Sequence, residues 1–593
     1  MIKRVKSIFR KATDVFSNDL MVLLMAFLAA ISIICLNEVN FQSKGINFFY
    51  LKFAIVSMLG ISVMFALNML SQRIGKRMLL ELLGVAFLVS YFFILPKSEK
   101  DFTDHYAFLL FPTALLSHLL VSFIPFIGDR RELNFWQYNK NLFINIVLTA
   151  IFTGVLTGGV ELAILAVDKL FDFNFNYRIY LHTFSFLAVF GSCFIFLLFN
   201  EKGLSYLERD SNYPIILKFF TQYILIPLLL IYAVILYFYS AKILIHWQLP
   251  RGWVSYLILA YSVVGILALL LVHPLKEISA KSWVRVFSKI FYYTLVPLVI
   301  LLFIAIFTRI LAYGYTEPRY FVLLLALWLG SVVLYFVLAK KTTIKYIPLS
   351  LFLFGLFSLL MPYLNTFAVA KRSQKTELDK VLTQNQLLDK GTVNFSKKVS
   401  DTVADDISNK FYFLAQRGEQ DYLYSLLKPS EKKLLSKSIN SKDFGSIEPL
   451  IRAQFKDTKI TKNNWDNQAV FISKNQFYSV KDYDFMMLVT SFNNAEMKID
   501  NDVFTVSEEY NPSRDLVISL NGKEKWNLES SFLNLVKEHA SEEPKDIELP
   551  EIALEHDLGD YHLKLLFSNL TITKEKNNLF YFNNAYLLIR KKK

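Results

Sequence analysis

The chain has 593 residues, 54% of them hydrophobic, with 55 phenylalanines and a formal charge of +14. So apolar a composition excludes an ordinary soluble domain. Residues 371–593 carry 33 basic and 33 acidic residues, so the whole excess lies in the first 370, mostly in short loops between apolar runs. That placement marks membrane orientation rather than a nucleic-acid footprint, and no nucleic-acid partner is expected.

At the N-terminus, Lys3, Arg4, Lys6, Arg10 and Lys11 precede an apolar run from Leu20. This mimics a signal peptide, but no small-x-small cleavage site follows, and Ile34 before Cys35 is too bulky for a lipoprotein signal. The run is read as a retained first span. Hydrophobic stretches near 20 residues then recur at about 20–36, 48–70, 78–96, 105–127, 141–167, 177–200, 214–240, 253–275, 290–310, 320–338 and 347–369. In lipid, continuous apolar runs of this length satisfy their backbone only as helices.

The loops assign sides. One set holds the N-terminal arm, Arg73/Lys76/Arg77, Arg130/Arg131/Lys140, Lys202/Arg209, Lys276/Lys281/Arg285/Lys289 and Lys340/Lys341/Lys345, about 20 basic residues. The alternate set, from Lys44 to Arg319, holds about 8. The bias expects a cytoplasmic N-terminus, and eleven crossings then put the C-terminal region outside. Lys371, Arg372 and Lys375 pull the other way, but the summed bias outweighs them.

Beyond 370 charge is dense and apolar residues become periodic. Segments 376–389, 398–416 and 420–438 read as amphipathic helices. Strands are expected at Val470–Ile472, Phe504–Glu508, Leu516–Leu520, Glu551–Glu555, His562–Thr573 and Leu579–Arg590, with a hairpin turn at Asn521-Gly522 and a helix over 526–539. The expected fold is an all-α polytopic transmembrane bundle of about 11 helices (1–370), followed by a C-terminal α+β soluble domain (371–593). That domain is helical over 371–440 and strand-rich over 468–593.

Three groups of residues could carry chemistry. In the fifth span Gly154, Gly158, Glu161, Leu165 and Asp168 recur at helical spacing. Gly154-x-x-x-Gly158 permits close helix approach, which would turn Glu161 into the bundle. Glu161 is then a proton or cation site, or a hydrogen-bonded packing group near the outer interface. His118, midway in the fourth span, is either a neutral histidine bonded to a neighbour or part of a proton relay with Glu161. Glu81, His182 and Arg309 lie near span ends, where snorkelling accounts for them. Two loops complete the set: Trp247, Arg251 and Trp253 lie in or beside one, Glu317 and Arg319 the other. They form interfacial anchors and turns, or a polar rim facing the C-terminal region or a ligand.

Cys35 and Cys193 both fall in apolar runs, so no disulfide framework or paired-cysteine metal site is expected. No phosphate loop, nucleophile elbow or zinc-protease motif occurs, and no metal or cofactor is expected.

The segment Trp247 to Pro274, with its W-x-L-P-x-G-W-V-S core and following G-I-x-A-L-L-L-x-x-P, resembles the DUF4153 family of bacterial membrane proteins. So do Gly158-Gly159-Val160-Glu161-Leu162 through Asp168-Lys169-Leu170-Phe171, and Thr316-Glu317-Pro318-Arg319-Tyr320-Phe321. Family sequences more often carry Asn where this chain has Pro318, a change that rigidifies the loop. The likeness covers most of the membrane part and, more weakly, Leu565-Leu566-Phe567-Ser568-Asn569-Leu570. It implies a multi-pass protein of the bacterial inner membrane and no biochemical activity.

Three functions remain open. The first is a non-enzymatic anchor or coupling protein whose outside domain meets an envelope protein or glycan, with the lipid bilayer as its other partner. The second is a secondary transporter using Glu161 and His118, with Pro227 and Pro297 interrupting spans. The third is a transferase acting on lipid-linked substrates. The short first outer loop, Asn37–Asn47, offers only Glu38 for a metal there.

Overall fold

The computed structural model describes residues 2–38, 44–128, 131–200, 202–209, 215–246, 253–273, 282–455, 468–474, 480–490, 495–510, 514–538, 547–573, 580–582 and 584–592. Two compact units result, Met1–Lys456 and Asp457–Lys593.

The first unit opens with a helix that the sequence reading left as an arm. α1 (Ile2–Asn18) spaces its apolar residues three to four apart between basic ones, the pattern of a helix lying in a membrane interface. The spans follow as α2 (Leu20–Glu38), α3 (Lys44–Ile74), α4 (Arg77–Ile94), α5 (Ala107–Phe123), α6 (Glu132–Phe171) and α7 (Tyr177–Phe199). A short α8 (Gly203–Leu207) precedes α9 (Phe220–Ile243), α10 (Trp253–Val272), α11 (Ser282–Tyr313) and α12 (Glu317–Leu338). Among the described residues ten helices are long and apolar enough to cross a bilayer. Their outward faces carry residues such as Met78 (80% exposed), Phe93 (78%) and Leu311 (76%). An apolar surrounding is the solvent that makes such faces stable.

The eleventh expected span is shorter. α13 (Tyr346–Leu360) has 15 residues, about 22 Å at ~1.5 Å per residue, against a hydrocarbon core of ~30 Å. The apolar run continued past 360 because it merges two helices. Pro362 lies in the break, and Asn365 caps the next helix by accepting from Ala368 N at 2.9 Å.

Helices approach closely at small residues other than the expected pair. A Cβ on Gly60 would stand 2.7 Å from Met25 Sδ, and one on Gly355 2.7 Å from Leu116 Cδ2. Gly154 and Gly158, expected at a packing face, are exposed, with nothing within 4 Å of an added Cβ. The buried side of α6 is one position earlier, at Thr149, Thr153 and Thr157. Adjacent positions on a helix point about 100° apart, so the glycines face outward. α7, which packs against α6, contains a wide π turn at Leu187–Gly191.

The boundary expected at residue 370 falls inside a helix of the first unit. α14 (Thr366–Gln384) leads into a short hairpin, β1 (Leu388–Asp389) with β2 (Thr392–Val393), then α15 (Asp401–Ala415), α16 (Gln420–Ser425), α17 (Pro429–Ser441) and α18 (Ile447–Arg452). These close over a core including Leu378, Leu382, Ile407, Phe411, Leu414 and Leu435. This helical module belongs with the spans in one unit.

The second unit is strand-rich. β10 (Ile552–Leu558), β11 (Tyr561–Phe567), β14 (Asn584–Lys591) and β4 (Phe485–Thr490) form an antiparallel sheet in that order. β13 (Phe580–Tyr581), β12 (Asn569–Thr573), β3 (Gln468–Ser473) and β9 (Ile547–Leu549) form a second, with β3 and β9 parallel. β5 (Ala495–Ile499), β6 (Asp502–Tyr510), β7 (Arg514–Leu520) and β8 (Glu524–Asn527) make an antiparallel meander. α19 (Glu529–Glu538) packs Phe532 on Phe567 and Phe580.

Candidate functional site

Several ion pairs of the first unit lie where the module meets the span ends. α11 stops at Tyr313, and Gly314 turns the chain at φ +71°. A Cβ there would lie 2.7 Å from Glu377 Cγ of α14, so both backbone and space require glycine. α14 seals this loop. Tyr315 N donates to Ser373 Oγ (2.8 Å), and Gln374 Nε2 donates to Tyr313 O (3.1 Å) and Tyr315 O (2.8 Å). Tyr320 Oη donates to Leu364 O at 2.6 Å.

α12 starts at Glu317 with Pro318 in its first turn, a position that suits proline's fixed φ. Glu317 is 0% exposed. Its carboxylate receives Arg417 in a two-pronged pair, Nε to Oε1 at 2.6 Å and Nη2 to Oε2 at 3.0 Å. The guanidinium also stacks on the Phe413 ring, 3.4 Å from its centre, and donates to Phe413 O. Planarity and a fork of donors suit arginine, and not lysine, to this place.

Two further ties flank the pair. Lys442 Nζ reaches Asp101 Oδ2 at 2.6 Å and Ser98 Oγ at 3.2 Å. Burial works to raise the Asp101 carboxyl, but bonds from Lys442 and Ser98 outweigh it and hold the group below its usual range. Glu419 accepts Lys371 at 3.0 Å and also Lys375. There too burial opposes and the two lysines prevail, so the Glu419 carboxyl is held low.

Beneath this layer lies a cavity of about 1120 Å³. Pockets for small molecules run to ~1,000 Å³, so this one is large. Its deep wall is apolar, from α3, α4, α5 and α13: Leu67, Phe87, Leu116, Leu120, Phe352 and Leu356. Its mouth is polar: Lys97, Asp101, His105, Lys371, Arg417 and Lys442.

The residues singled out in the sequence are dispersed. Glu161 shares the α6 face of Thr149, Thr153 and Thr157; its Oε1 and their three hydroxyls are buried without a hydrogen-bond partner. Tyr180 of α7 stands within electrostatic reach of Glu161 and Asp168, its hydroxyl likewise unpartnered. Asp168 is used structurally: it accepts from Phe175 N at 2.6 Å, closing the turn after α6, and lies 3.3 Å from Lys169 Nζ. His118 is exposed, with Nδ1 2.8 Å from Ala114 O of its own helix. Among the described residues no bond joins it to Glu161, so the expected relay is not assembled. Arg319 does not share a rim with Glu317: it donates to Tyr313 O and Gly314 O, bracing its own loop. Trp253 begins α10, whereas Trp247 and Arg251 lie outside the described residues. Glu38 pairs with Arg178 at 2.9 Å, and His182 Nε2 lies 3.1 Å from its carboxylate.

A family model described as a domain of unknown function, DUF4153, matches residues 20–394. The chain belongs to the DUF4153 family. An uncharacterized protein of Pasteurella multocida is 26% identical to it over 296 residues, 48% of this chain and 48% of that protein. The chain thus spans about half the length of that relative. No solved structure gives a significant match. The DUF4153 segment contains Glu317 and the bundle walls of the cavity but ends before Arg417 and Lys442, which complete the mouth.

Sequence reasoning picked out Glu317 but missed Arg417, Lys97, Asp101 and Lys442. Arg417 sits 100 residues from its partner in a segment with no motif. One signal was available: Lys97, Lys100 and Asp101 concentrate charge in a loop directly after an apolar run.

Proposed function

We propose that this DUF4153 protein is a non-enzymatic anchor and coupling protein of the bacterial inner membrane. In this reading the bundle carries the helical module on its extracytoplasmic face, and the chain beyond presents the strand-rich unit to an envelope protein or glycan. The supporting observation is the buried Glu317–Arg417 pair, which ties the head of a span to the module. Breaking such a pair from one side leaves a charge unmatched in low dielectric, so the link is stiff. The module also sits at the end with the less basic loops, as extracytoplasmic placement requires.

In-cell photo-crosslinking from Met486 and Leu488, both exposed on β4, tests the reading. A discrete adduct that weakens in Arg417→Met at equal protein level is expected. No adduct from either position, or an adduct indifferent to Arg417→Met, contradicts coupling.

A second reading, proton- or ion-linked transport, draws on the unpartnered stripe Thr149, Thr153, Thr157 and Glu161. Such groups in a span are costly unless used. In liposomes loaded with a pH-sensitive dye, it expects Glu161→Gln to abolish protein-dependent proton flux. Flux unchanged by that substitution removes Glu161 from any coupling role.

A further inference from the structure

The cavity separates its chemistry by depth. From Tyr106 at the mouth, just before α5, it extends along that helix to Leu120. Fourteen residues of helix rise about 20 Å at ~1.5 Å each, more than half of a ~30 Å hydrocarbon core. Over that depth the wall is leucine and phenylalanine, with few polar groups. Ser117 is satisfied by Ser62 (2.7 Å), and Thr113 donates to Leu109 O (2.7 Å). The Tyr91 hydroxyl, in a residue only 4% exposed, is buried in this wall beside Thr113.

The mouth carries surplus positive charge. Arg417 is matched by Glu317, and Lys442 by Asp101. Lys371 and Lys375 share the single carboxylate of Glu419, which leaves one charge uncompensated. Lys97 is exposed at the rim and forms no ion pair among the described residues. With Asp104 beside His105 set against these lysines, net positive charge still stands over an apolar slot as long as one leaflet's chains.

We infer that the cavity is a binding site for one membrane lipid bearing an anionic headgroup. Its chains lie between α3, α4, α5 and α13, and its headgroup phosphate meets Lys97 and Lys371. Apolar volume alone would accept any lipid. The unbalanced lysines supply the preference, because opposite charge at a partly desolvated rim is screened less than in water. The inference does not depend on the coupling reading: the lipid would occupy the cavity whatever the strand-rich unit contacts.

The test uses full-length protein, delipidated in detergent and analysed by native mass spectrometry. It is offered phosphatidylglycerol, phosphatidylethanolamine or inorganic phosphate alone. Expected is one retained phosphatidylglycerol per chain, at least about tenfold preferred over phosphatidylethanolamine, a difference of roughly 1.4 kcal/mol. K97Q with K371Q removes the preference without removing lipid retention. Leu356→Trp, deep in the slot, and Leu360→Trp, at its exposed rim, each abolish the retained lipid while the lipid-free melting temperature holds. Equal retention of both lipids by the unaltered protein overturns the inference. So does retention unaffected by either tryptophan. Displacement of the lipid by phosphate at equal concentration would show a free-anion site instead.

Discussion

At the scale of single residues, Glu317 and Arg417 carry the largest local consequence. Their side chains are 1% and 7% exposed, and each is the other's counter-ion. Glu317→Gln leaves the guanidinium buried without a full charge opposite it. Single-sided loss of a buried pair costs roughly 3–5 kcal/mol. The expected outcome is a clear fall in the melting temperature of detergent-solubilised protein. Glu317→Leu combined with Arg417→Met recovers most of it, since neither charge then needs a partner. A melting temperature unchanged by Glu317→Gln would show that the pair bears no load. The residue scale is also where the sequence was least legible. Glu161 and Glu317 were visible because charge is rare near spans, but Arg417, the partner of Glu317, was not. Long-range pairing leaves no local pattern, and Gly154 and Gly158 misled because their spacing permits a close approach that no helix makes among the described residues.

At the scale of elements, continuous apolar runs located the spans and apolar periodicity most of the module's helices, though α1, α8 and α18 were missed and α16 and α17 were drawn as one; Asn521-Gly522 marked the β7–β8 turn, where both residues have positive φ. Failures have physical reasons. β4 reads Phe-Met-Met-Leu-Val-Thr, a continuous apolar run without the alternation that identifies a half-buried strand. The eleventh span was drawn too long because the start of α14 is itself apolar. The contact between module and span ends is electrostatic, so it should respond to acid. Asp101 and Glu419 are both held below their usual values by their lysine and serine partners, against burial. Depressed carboxyls contribute stability that is present above their unfolded values, near pH 4, and lost as pH falls through the folded ones. The melting temperature should therefore drop between about pH 5 and pH 3. Asp101→Asn with Glu419→Gln should flatten that part of the curve. An equal acid slope in the double variant would place the sensitivity elsewhere.

At the scale of the whole molecule, composition alone made the bundle legible, because only lipid accommodates so many exposed leucines and phenylalanines. The division of the chain was less legible. A change of charge density near residue 370 suggested a boundary there, yet contacts keep the module with the spans up to Lys456. Charge density follows the solvent each surface meets, whereas a compact unit follows shared burial, and the two change at different positions. α12 crosses from Glu317 to Leu338, 22 residues, about 33 Å at ~1.5 Å each. Lys341, just beyond its far end, and Lys433, on the module that meets its near end, therefore belong to opposite faces of the membrane. Single cysteines at these two exposed positions, in a background lacking Cys35 and Cys193, can be labelled in intact cells with a membrane-impermeant maleimide. The account predicts that Lys433→Cys reacts at once and Lys341→Cys only after permeabilisation. Reaction of both in intact cells, or of Lys341→Cys alone, would contradict it.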